Sequence, residues 1–312
     1  MKALFFGTPQ VAAPFLDLLA RMADVVGVVS QPDKPASRGL SIEPTPVKKK
    51  ALELGLKVFQ PAKPSEIAGE LKALEADFGL VVAYGRILKK DVLASTKLGL
   101  LNAHFSLLPK YRGAAPVQWA LARGERETGV TLFWLDEGMD TGAVFLESAP
   151  VAIGPDEDAA ALMARLVDVG LAGLDLGLRH LEAGKLRREP QRGEPSLAPL
   201  IKKEDARLSL AREARELHDA VRAFRTWPKA YLELENQRLL VLKTKVGDGG
   251  SAPVGQVVAV DPNGGVLVQC GTASRLWFLQ VQPEGKKPVS AADFLNGLRM
   301  KQGDFLPIKK NV

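Results

Sequence analysis

Short apolar strands alternate with helical patterns through the first half of the chain, and this alternation restricts the possible folds more than any other feature. Strand patterns include Lys2–Phe6, Val25–Val29, Leu80–Ala83 and Val130–Leu135, and apolar-faced helical stretches lie between them. Chains that alternate strand and helix in this way build a mostly parallel sheet with helices on both faces. We therefore predict an α/β domain of this class.

A different pattern follows the proline-containing stretch Arg187–Pro199, whose lack of periodicity indicates a linker. Five short strands are then predicted at Tyr231–Leu234, Arg238–Lys243, Gly255–Val260, Gly265–Gln269 and Arg275–Val281. Five strands of this length, separated by turn residues, favour a small OB-like β-barrel. The predicted organisation is a first domain over 1–186, a linker over 187–206 and a second domain over 207–312.

Composition excludes several classes of protein. With 46% hydrophobic and 25% charged residues among 312, the chain has the balance of a globular protein and not of a disordered one. Its one cysteine, Cys270, cannot form an intramolecular disulfide. The apolar start is too short for a signal peptide, and no apolar run is long enough to span a bilayer. We expect a cytoplasmic monomer that binds no membrane.

The net charge of +6 is unevenly distributed along the chain. Residues 1–199 hold 24 basic and 24 acidic side chains, so the whole excess lies in residues 200–312. A basic appendage on a neutral domain suggests a polyanionic partner, although a well-solvated basic surface would produce the same count.

Cofactor motifs are missing from the sequence. Gly7-Thr8-Pro9 follows the first strand but lacks the three glycines of a dinucleotide fingerprint, and no Gly-Lys-Ser/Thr loop occurs. The three histidines lie far apart and only one cysteine is available, so no metal site is predicted.

Three side chains form the strongest candidate for chemistry. Asn102 and His104 are two residues apart at the end of an apolar strand, so their side chains point to one side. Asp140 lies in a glycine-flanked segment after the strand Val130–Leu135; a carboxylate beside an imidazole fixes its tautomer and raises its pKa. An amide donor, an imidazole and a carboxylate suit acyl transfer to an amine. Ser106 lacks the Gly-x-Ser-x-Gly turn of a nucleophile. Without Asp140, the first two residues would more readily be interpreted as polar groups that cap a loop.

A wider set of motifs extends over both parts of the chain. The motifs are Asn102-x-His104-x-Ser106-Leu107-Leu108-Pro109-x-x-Arg112-Gly113, Gly138-Met139-Asp140-Thr141-Gly142, Phe6-Gly7-Thr8-Pro9, Gln31-Pro32-Asp33-Lys34-Pro35-x-x-Arg38-Gly39, Val82-Ala83-Tyr84-Gly85, Lys203-Glu204-Asp205-Ala206 and Arg222-Ala223-Phe224-x-x-Trp227-Pro228. Together they resemble the 10-formyltetrahydrofolate-dependent formyltransferase family, and within it the members that formylate methionyl initiator tRNA. The resemblance covers essentially the whole chain, and Arg207–Leu210 departs from the family pattern.

The resemblance implies a Rossmann-like catalytic domain, an OB-like second domain and formyl transfer from 10-formyltetrahydrofolate to the α-amine of methionyl initiator tRNA, without a metal. By position, Asn102 would hold the formyl oxygen, His104 would assist proton transfer and Asp140 would orient His104.

The same resemblance assigns the binding residues. The folate pocket would be lined by Val82, Ala83, Tyr84, Gly85, Ser106, Leu107, Leu108 and Pro109. Arg38 and Lys34 would meet the tRNA acceptor end, and the basic second domain would meet tRNA phosphates.

Three other functions remain compatible with parts of this pattern. A sugar-nucleotide amine formyltransferase or a formyltetrahydrofolate hydrolase could share Asn102, His104 and Asp140. A non-catalytic RNA-binding module would explain the basic second half but not the three catalytic candidates.

Overall fold

The computed structural model describes residues 1–35, 42–261 and 263–309, and most elements of its first part are the predicted strands and helices. The strands are β1 (Lys2–Gly7), β2 (Asp24–Val29), β3 (Lys34–Pro35), β4 (Ile42–Glu43), β5 (Val58–Phe59), β6 (Phe78–Val82), β7 (Leu100–His104), β8 (Glu127–Thr128), β9 (Thr131–Trp134), β10 (Val144–Glu147) and β11 (Val151–Ala152). The helices are α1 (Ala13–Met22), α2 (Pro46–Glu53), α3 (Ala68–Ala73), α4 (Lys90–Leu93), α5 (Pro116–Ala122) and α6 (Ala159–Glu182), with 3-10 turns at Gln10–Ala12 and Pro64–Ile67.

Seven of these strands form one sheet in the order β10-β9-β7-β6-β1-β2-β5. The five strands from β7 to β5 are parallel to their neighbours, whereas β9 runs antiparallel to both β7 and β10. The mostly parallel, Rossmann-like sheet is therefore confirmed. The chain leaves β1 towards β2 on one side and reaches β6 on the other. In sheets of this kind, ligands bind beyond the carboxyl ends of the strands at this switch in order.

Burial explains the continuous apolar strands. Ala3–Phe6 in β1 and Leu80 in β6 are almost completely inaccessible to solvent. Strands covered on both faces in this way have no side exposed to water and are therefore apolar throughout.

Gly7 ends β1 where the backbone passes close to β6. A Cβ at this position would lie 2.7 Å from the Phe5 ring and 3.1 Å from the Val82 carbonyl oxygen. Only glycine allows that approach without displacement of its neighbours.

The chain divides into two compact units. The first comprises residues 1–116, 127–151 and 163–199, and the second comprises 117–126, 152–162 and 200–312. The elements after residue 199 are a 3-10 turn (Lys203–Ala206), α7 (Ala214–Ala223), β12 (Tyr231–Glu233), β13 (Arg238–Gly247), β14 (Val257–Val260), β15 (Val266–Gln269), β16 (Arg275–Pro283), β17 (Val289–Ser290) and α8 (Ala291–Gly297).

The second sheet has the order β12-β13-β16-β15-β14, with β17 beside β16, and all of its strand pairs are antiparallel. This agrees with the predicted OB-like β-structure. β13 and β16 extend beyond the predicted strands because they pair with each other along almost their whole length. Helix α8 was not predicted; its N-terminus is capped by the Ser290 hydroxyl, which accepts a hydrogen bond from the Asp293 amide at 3.0 Å. Among the described residues, no helix is both long and apolar enough to cross a membrane.

Candidate active site

Strand β7 places Asn102 and His104 on one face at its carboxyl end. Asn102 lies opposite Val81 of β6, and His104 lies opposite Thr131 of β9. His104 is buried, at 5% exposure, whereas Asn102 is half-buried. In the described part of the chain, the Asn102 side chain forms no hydrogen bond. The strand therefore presents an amide that is available to bind a ligand beside a buried imidazole.

The His104 ring has a different partner at each nitrogen. Nε2 lies 2.9 Å from the Tyr111 carbonyl oxygen, and Nδ1 lies 3.6 Å from Oδ2 of Asp140. A carbonyl oxygen only accepts hydrogen bonds, so Nε2 must carry a proton. In the neutral ring, Nδ1 therefore holds the lone pair and is the nitrogen that faces the carboxylate. The Tyr111 carbonyl, and not Asp140 as expected, selects the tautomer.

Burial sets the direction of the His104 pKa. Removal of the ring from water lowers the pKa below its ordinary value, and this effect exceeds the opposing influence of Asp140 and of the Tyr111 carbonyl. Asp140 does raise the pKa of His104, as expected, but burial lowers it by more, so the net shift is downward. The ring is therefore held neutral, with Nδ1 available to accept a proton.

The route by which Asp140 reaches His104 differs from the sequence expectation. Because β9 is antiparallel to β7, its end at Trp134 pairs with Leu101 and not with His104. The loop after β9 carries Asp140 to the histidine, and the Asp140 backbone has a positive φ of 53°. The two side chains meet because of this loop and not because two strands end at the same edge.

Hydrogen bonds and a close packing contact hold this loop. Oδ2 of Asp140 accepts from the Gly113 amide at 2.7 Å, and Nε2 of Gln191 donates to the carbonyls of Asp140 and Gly142 at 2.8 and 2.9 Å. A Cβ on Gly142 would lie 1.8 Å from the Trp134 carbonyl oxygen, so this position requires glycine. Gln191 belongs to the predicted linker, and no sequence signal marked it.

A second network holds the Tyr111 carbonyl. Tyr111 has a φ of 62°, and its amide donates to the Ser196 hydroxyl at 2.9 Å. The Ser106 hydroxyl donates to the Lys110 carbonyl at 2.6 Å, while the Thr131 hydroxyl donates to the Ser106 carbonyl at 2.7 Å. Ser106 is fully buried with its hydroxyl engaged, as a structural serine would be. Thr131 and Ser196 were missed because their partners are far away in sequence.

The predicted folate residues lie on two segments of the first unit. Val82 ends β6, and Ala83–Gly85 follow it at the switch in strand order. Ala83 and Gly85 are exposed there, whereas Val82 and Tyr84 are buried. The Tyr84 carbonyl accepts hydrogen bonds from the Thr8 hydroxyl at 3.0 Å and from Gln31 Nε2 at 2.8 Å. In the other segment, Ser106, Leu108 and Pro109 are buried and Leu107 is partly exposed.

Two exposed apolar side chains close in sequence to the predicted site residues were not predicted. Ile87, two residues after Gly85, is 86% exposed, and Met139, next to Asp140, is 66% exposed. Single exposed apolar side chains are common on protein surfaces, but these two flank the segments that carry Gly85 and Asp140.

The predicted tRNA loop is only partly described. Arg38 lies outside the described residues, and of Lys34 only the backbone is described, which pairs with Glu43. The segment before the loop is anchored through Asp33. Its carboxylate accepts a hydrogen bond from Gln60 Nε2 at 2.7 Å and forms an ion pair with Lys48. The assignment of Arg38 and Lys34 to tRNA stays a prediction.

Comparison with known proteins identifies the family. Residues 1–175 match the formyl transferase family, and residues 200–299 match the formyl transferase C-terminal domain. The methionyl-tRNA formyltransferase of Sorangium cellulosum is 46% identical over 98% of this chain and 99% of its own length. That of Elusimicrobium minutum is 40% identical over 98% and 99%.

Solved structures share the fold at lower identity. An N-formyltransferase from Helicobacter canadensis, in complex with folinic acid and dTDP-3-aminofucose, superposes with a TM-score of 0.68 at 18% identity over 89% of this chain and 98% of that one. HypX from Aquifex aeolicus, in complex with tetrahydrofolic acid, has a TM-score of 0.64 at 17% identity over 99% of this chain, which spans about half (51%) of HypX. On the domain matches and the full-length relatives, the chain belongs to the formyl transferase family.

Proposed function

We propose that this enzyme transfers the formyl group of 10-formyltetrahydrofolate to the α-amine of methionyl initiator tRNA in the cytoplasm, where the product serves translation initiation. The proposal depends on the pair formed by the buried His104 and the half-buried Asp140, at the same strand end as an Asn102 amide that has no partner among the described residues. The relatives named methionyl-tRNA formyltransferase, which align over nearly their whole length, support the choice of substrates.

The residues present fit a folate. The Asn102 amide, which has no hydrogen-bond partner among the described residues, and the exposed residues Ala83 and Gly85 offer polar groups to such a ligand. The exposed side chains of Ile87 and Met139 offer apolar contact. Val82–Gly85 and Ser106–Pro109 would hold it, as the family resemblance implies. When bound, 10-formyltetrahydrofolate supplies an electrophilic formyl carbon attached to nitrogen.

Asn102 would act on the formyl oxygen. Attack by the amine places negative charge on that oxygen, and a pre-positioned N–H donor stabilises it more than the neutral ground state. The Asn102 amide can donate to this oxygen without breaking a hydrogen bond within the protein, because it has no partner in the described part of the chain.

His104 would accept the proton that the attacking amine loses. The acceptor is Nδ1, because Nε2–H is held by the Tyr111 carbonyl. The lowered pKa keeps the ring in the neutral form that can act as a base near pH 7. Once Nδ1 is protonated, its charge faces Asp140 at 3.6 Å, and the carboxylate stabilises the imidazolium. The imidazolium would then return this proton to the folate nitrogen as its bond to the formyl carbon breaks, which regenerates the neutral ring.

Recognition of the tRNA would involve both parts of the chain. Arg38 and Lys34 are proposed to meet the acceptor end, and the basic residues after 199 are proposed to meet phosphates along the tRNA. The domain boundaries at 186 and 206 are part of the same proposal, as is action as a monomer.

Formylation assays with defined acceptors test the function. With 10-formyltetrahydrofolate as donor, we expect methionyl initiator tRNA to be formylated much faster than methionyl elongator tRNA. An amino-sugar nucleotide and water are the comparison acceptors, because the Helicobacter canadensis neighbour was crystallised with such a nucleotide and shares the fold. Faster formylation of the sugar amine, or donor hydrolysis independent of tRNA, would contradict the proposal.

A further inference from the structure

The second unit contains an arginine-lined cavity that the proposed chemistry does not use. It has a volume of about 670 Å³ and lies between the loop 122–126, residues 153–155 and one side of α7 from Arg215 to Arg222, with Arg212 just before the helix. Five arginines line it, namely Arg123, Arg126, Arg212, Arg215 and Arg222. All of its lining residues belong to the second unit.

Arg222 is a fixed, buried member of this lining. Its side chain is 7% exposed, and Nε donates to Oδ1 of Asp219 at 2.7 Å. Nη1 donates to the carbonyls of Gly154 and Glu157 at 3.2 and 3.1 Å. These contacts consume three of the five N–H groups. The two N–H groups of Nη2 have no protein acceptor in the described part of the chain.

The exposed arginines leave an excess of positive charge. Arg212 forms an ion pair with Glu216 at 2.7 Å, so its charge is partly compensated. Arg126 and Arg215 are exposed and have no ion-pair partner among the described residues. Two guanidinium groups without an ion-pair partner among the described residues therefore line the same cavity as Arg222, and five arginines there outnumber the three carboxylates of Glu125, Glu216 and Asp219.

We propose that this cavity binds a phosphate of the tRNA substrate, an inference that rests on the proposed function. Guanidinium groups bind phosphate oxygens through paired, charge-assisted hydrogen bonds. An RNA phosphate is favoured over a free phosphate ion because residues 200–312 carry the whole net charge of +6. Positive charge spread over a domain attracts an extended polyanion at many points, whereas a single phosphate contacts only one.

The test is the tRNA affinity of a full-length variant with Arg126→Gln and Arg215→Gln. Dissociation constants for initiator tRNA are measured by filter binding between about 50 and 200 mM KCl. We expect about 10-fold weaker binding at low salt, and a dependence of log Kd on log salt that is shallower by about one to two, because one or two phosphate contacts are lost.

A matched control removes the same charge elsewhere. Lys286→Gln with Lys287→Gln changes two exposed lysines of the second unit that do not line the cavity and have no ion-pair partner among the described residues. We expect a clearly smaller loss of affinity, with thermal unfolding unchanged in both variants. An equal loss in the two variants would mean that only total charge matters and would overturn the site. Unchanged affinity in the arginine variant would do the same.

Calorimetry with inorganic phosphate separates the two sources of the ligand. If the arginine substitutions abolish phosphate binding but leave tRNA affinity unchanged, the cavity serves a free phosphate and the RNA assignment is wrong. Formylation by the wild-type enzyme, measured in parallel, keeps the two proposals apart. A wild-type enzyme that does not formylate methionyl initiator tRNA refutes the proposed function, whereas the substitutions test only the cavity.

Discussion

Replacement of Asp140 by asparagine tests the electrostatic part of the mechanism. The substitution removes one negative charge 3.6 Å from Nδ1 of His104 while an amide oxygen remains to accept from the Gly113 amide at 2.7 Å. The loop should therefore stay in place. The neutral side chain cannot favour the protonated ring, so the pKa of His104 should fall further below its ordinary value.

The distance determines the expected size of the change. Two unit charges 3.6 Å apart interact by about 4–5 kcal/mol at an effective dielectric constant of ~20. At about 1.4 kcal/mol per pKa unit, this corresponds to at most about three units. Neighbouring charges shift measured pKa values by about 1–3 units. We therefore expect the His104 pKa to drop by about 1–3 units in the Asp140→Asn variant.

Two measurements report this pKa. The acidic limb of the profile of kcat/KM against pH marks protonation of the base, so it should move to lower pH while the plateau rate falls. NMR titration of the imidazole signals gives the same pKa without catalysis, and assignment is simple because the chain has only three histidines. Asp136→Asn removes a charge from the same loop, and there we expect no movement of the limb. An unchanged limb and an unchanged His104 titration in the Asp140→Asn variant would refute the pairing.

Four further predictions address other parts of the molecule. His104→Ala should lower turnover by ~10²–10⁴-fold with little change in folate affinity, measured by steady-state kinetics and folate titration; near-normal turnover would exclude it as the base. Arg38→Ala should strongly impair formylation of charged tRNA while folate binding stays normal, with Arg38→Lys in between, and a wild-type rate in the alanine variant would remove the loop from tRNA binding. Gly142→Ala should displace the loop, because its Cβ would collide with the Trp134 carbonyl, and should lower both kcat and the melting temperature; full activity would show that the loop adapts. Burial lowers the pKa of His218 below its value in the unfolded chain, so protonation favours the unfolded state. The free energy of unfolding should therefore decrease as the pH falls below about 6.5. Urea titrations at several pH values should show that this free energy depends less on pH in the His218→Gln variant than in the wild type.

Local patterns in the sequence determined the elements of the fold. The apolar strands around Lys2–Phe6 and Leu80–Ala83 predicted β1 and β6 to within two residues, because a strand buried on both faces must be apolar throughout. The direction of β9 was not predictable in the same way. Its antiparallel pairing with β7 depends on the end of the sheet at which the chain returns, and the residues of β9 carry no signal for that direction.

In the candidate site, too, local sequence predicted some features and only the tertiary structure determined the others. The sequence by itself determined that Asn102 and His104 share a face, because strand periodicity relates residues two positions apart. Only the tertiary structure decided which groups surround the imidazole. Its partner Asp140 arrives on a loop, its tautomer is selected by a backbone carbonyl that every residue possesses, and Gln191 secures the loop from a segment about fifty residues further on. Burial determines the direction of the His104 pKa, and burial is a property of the packed chain, so no reading of neighbouring residues could supply it.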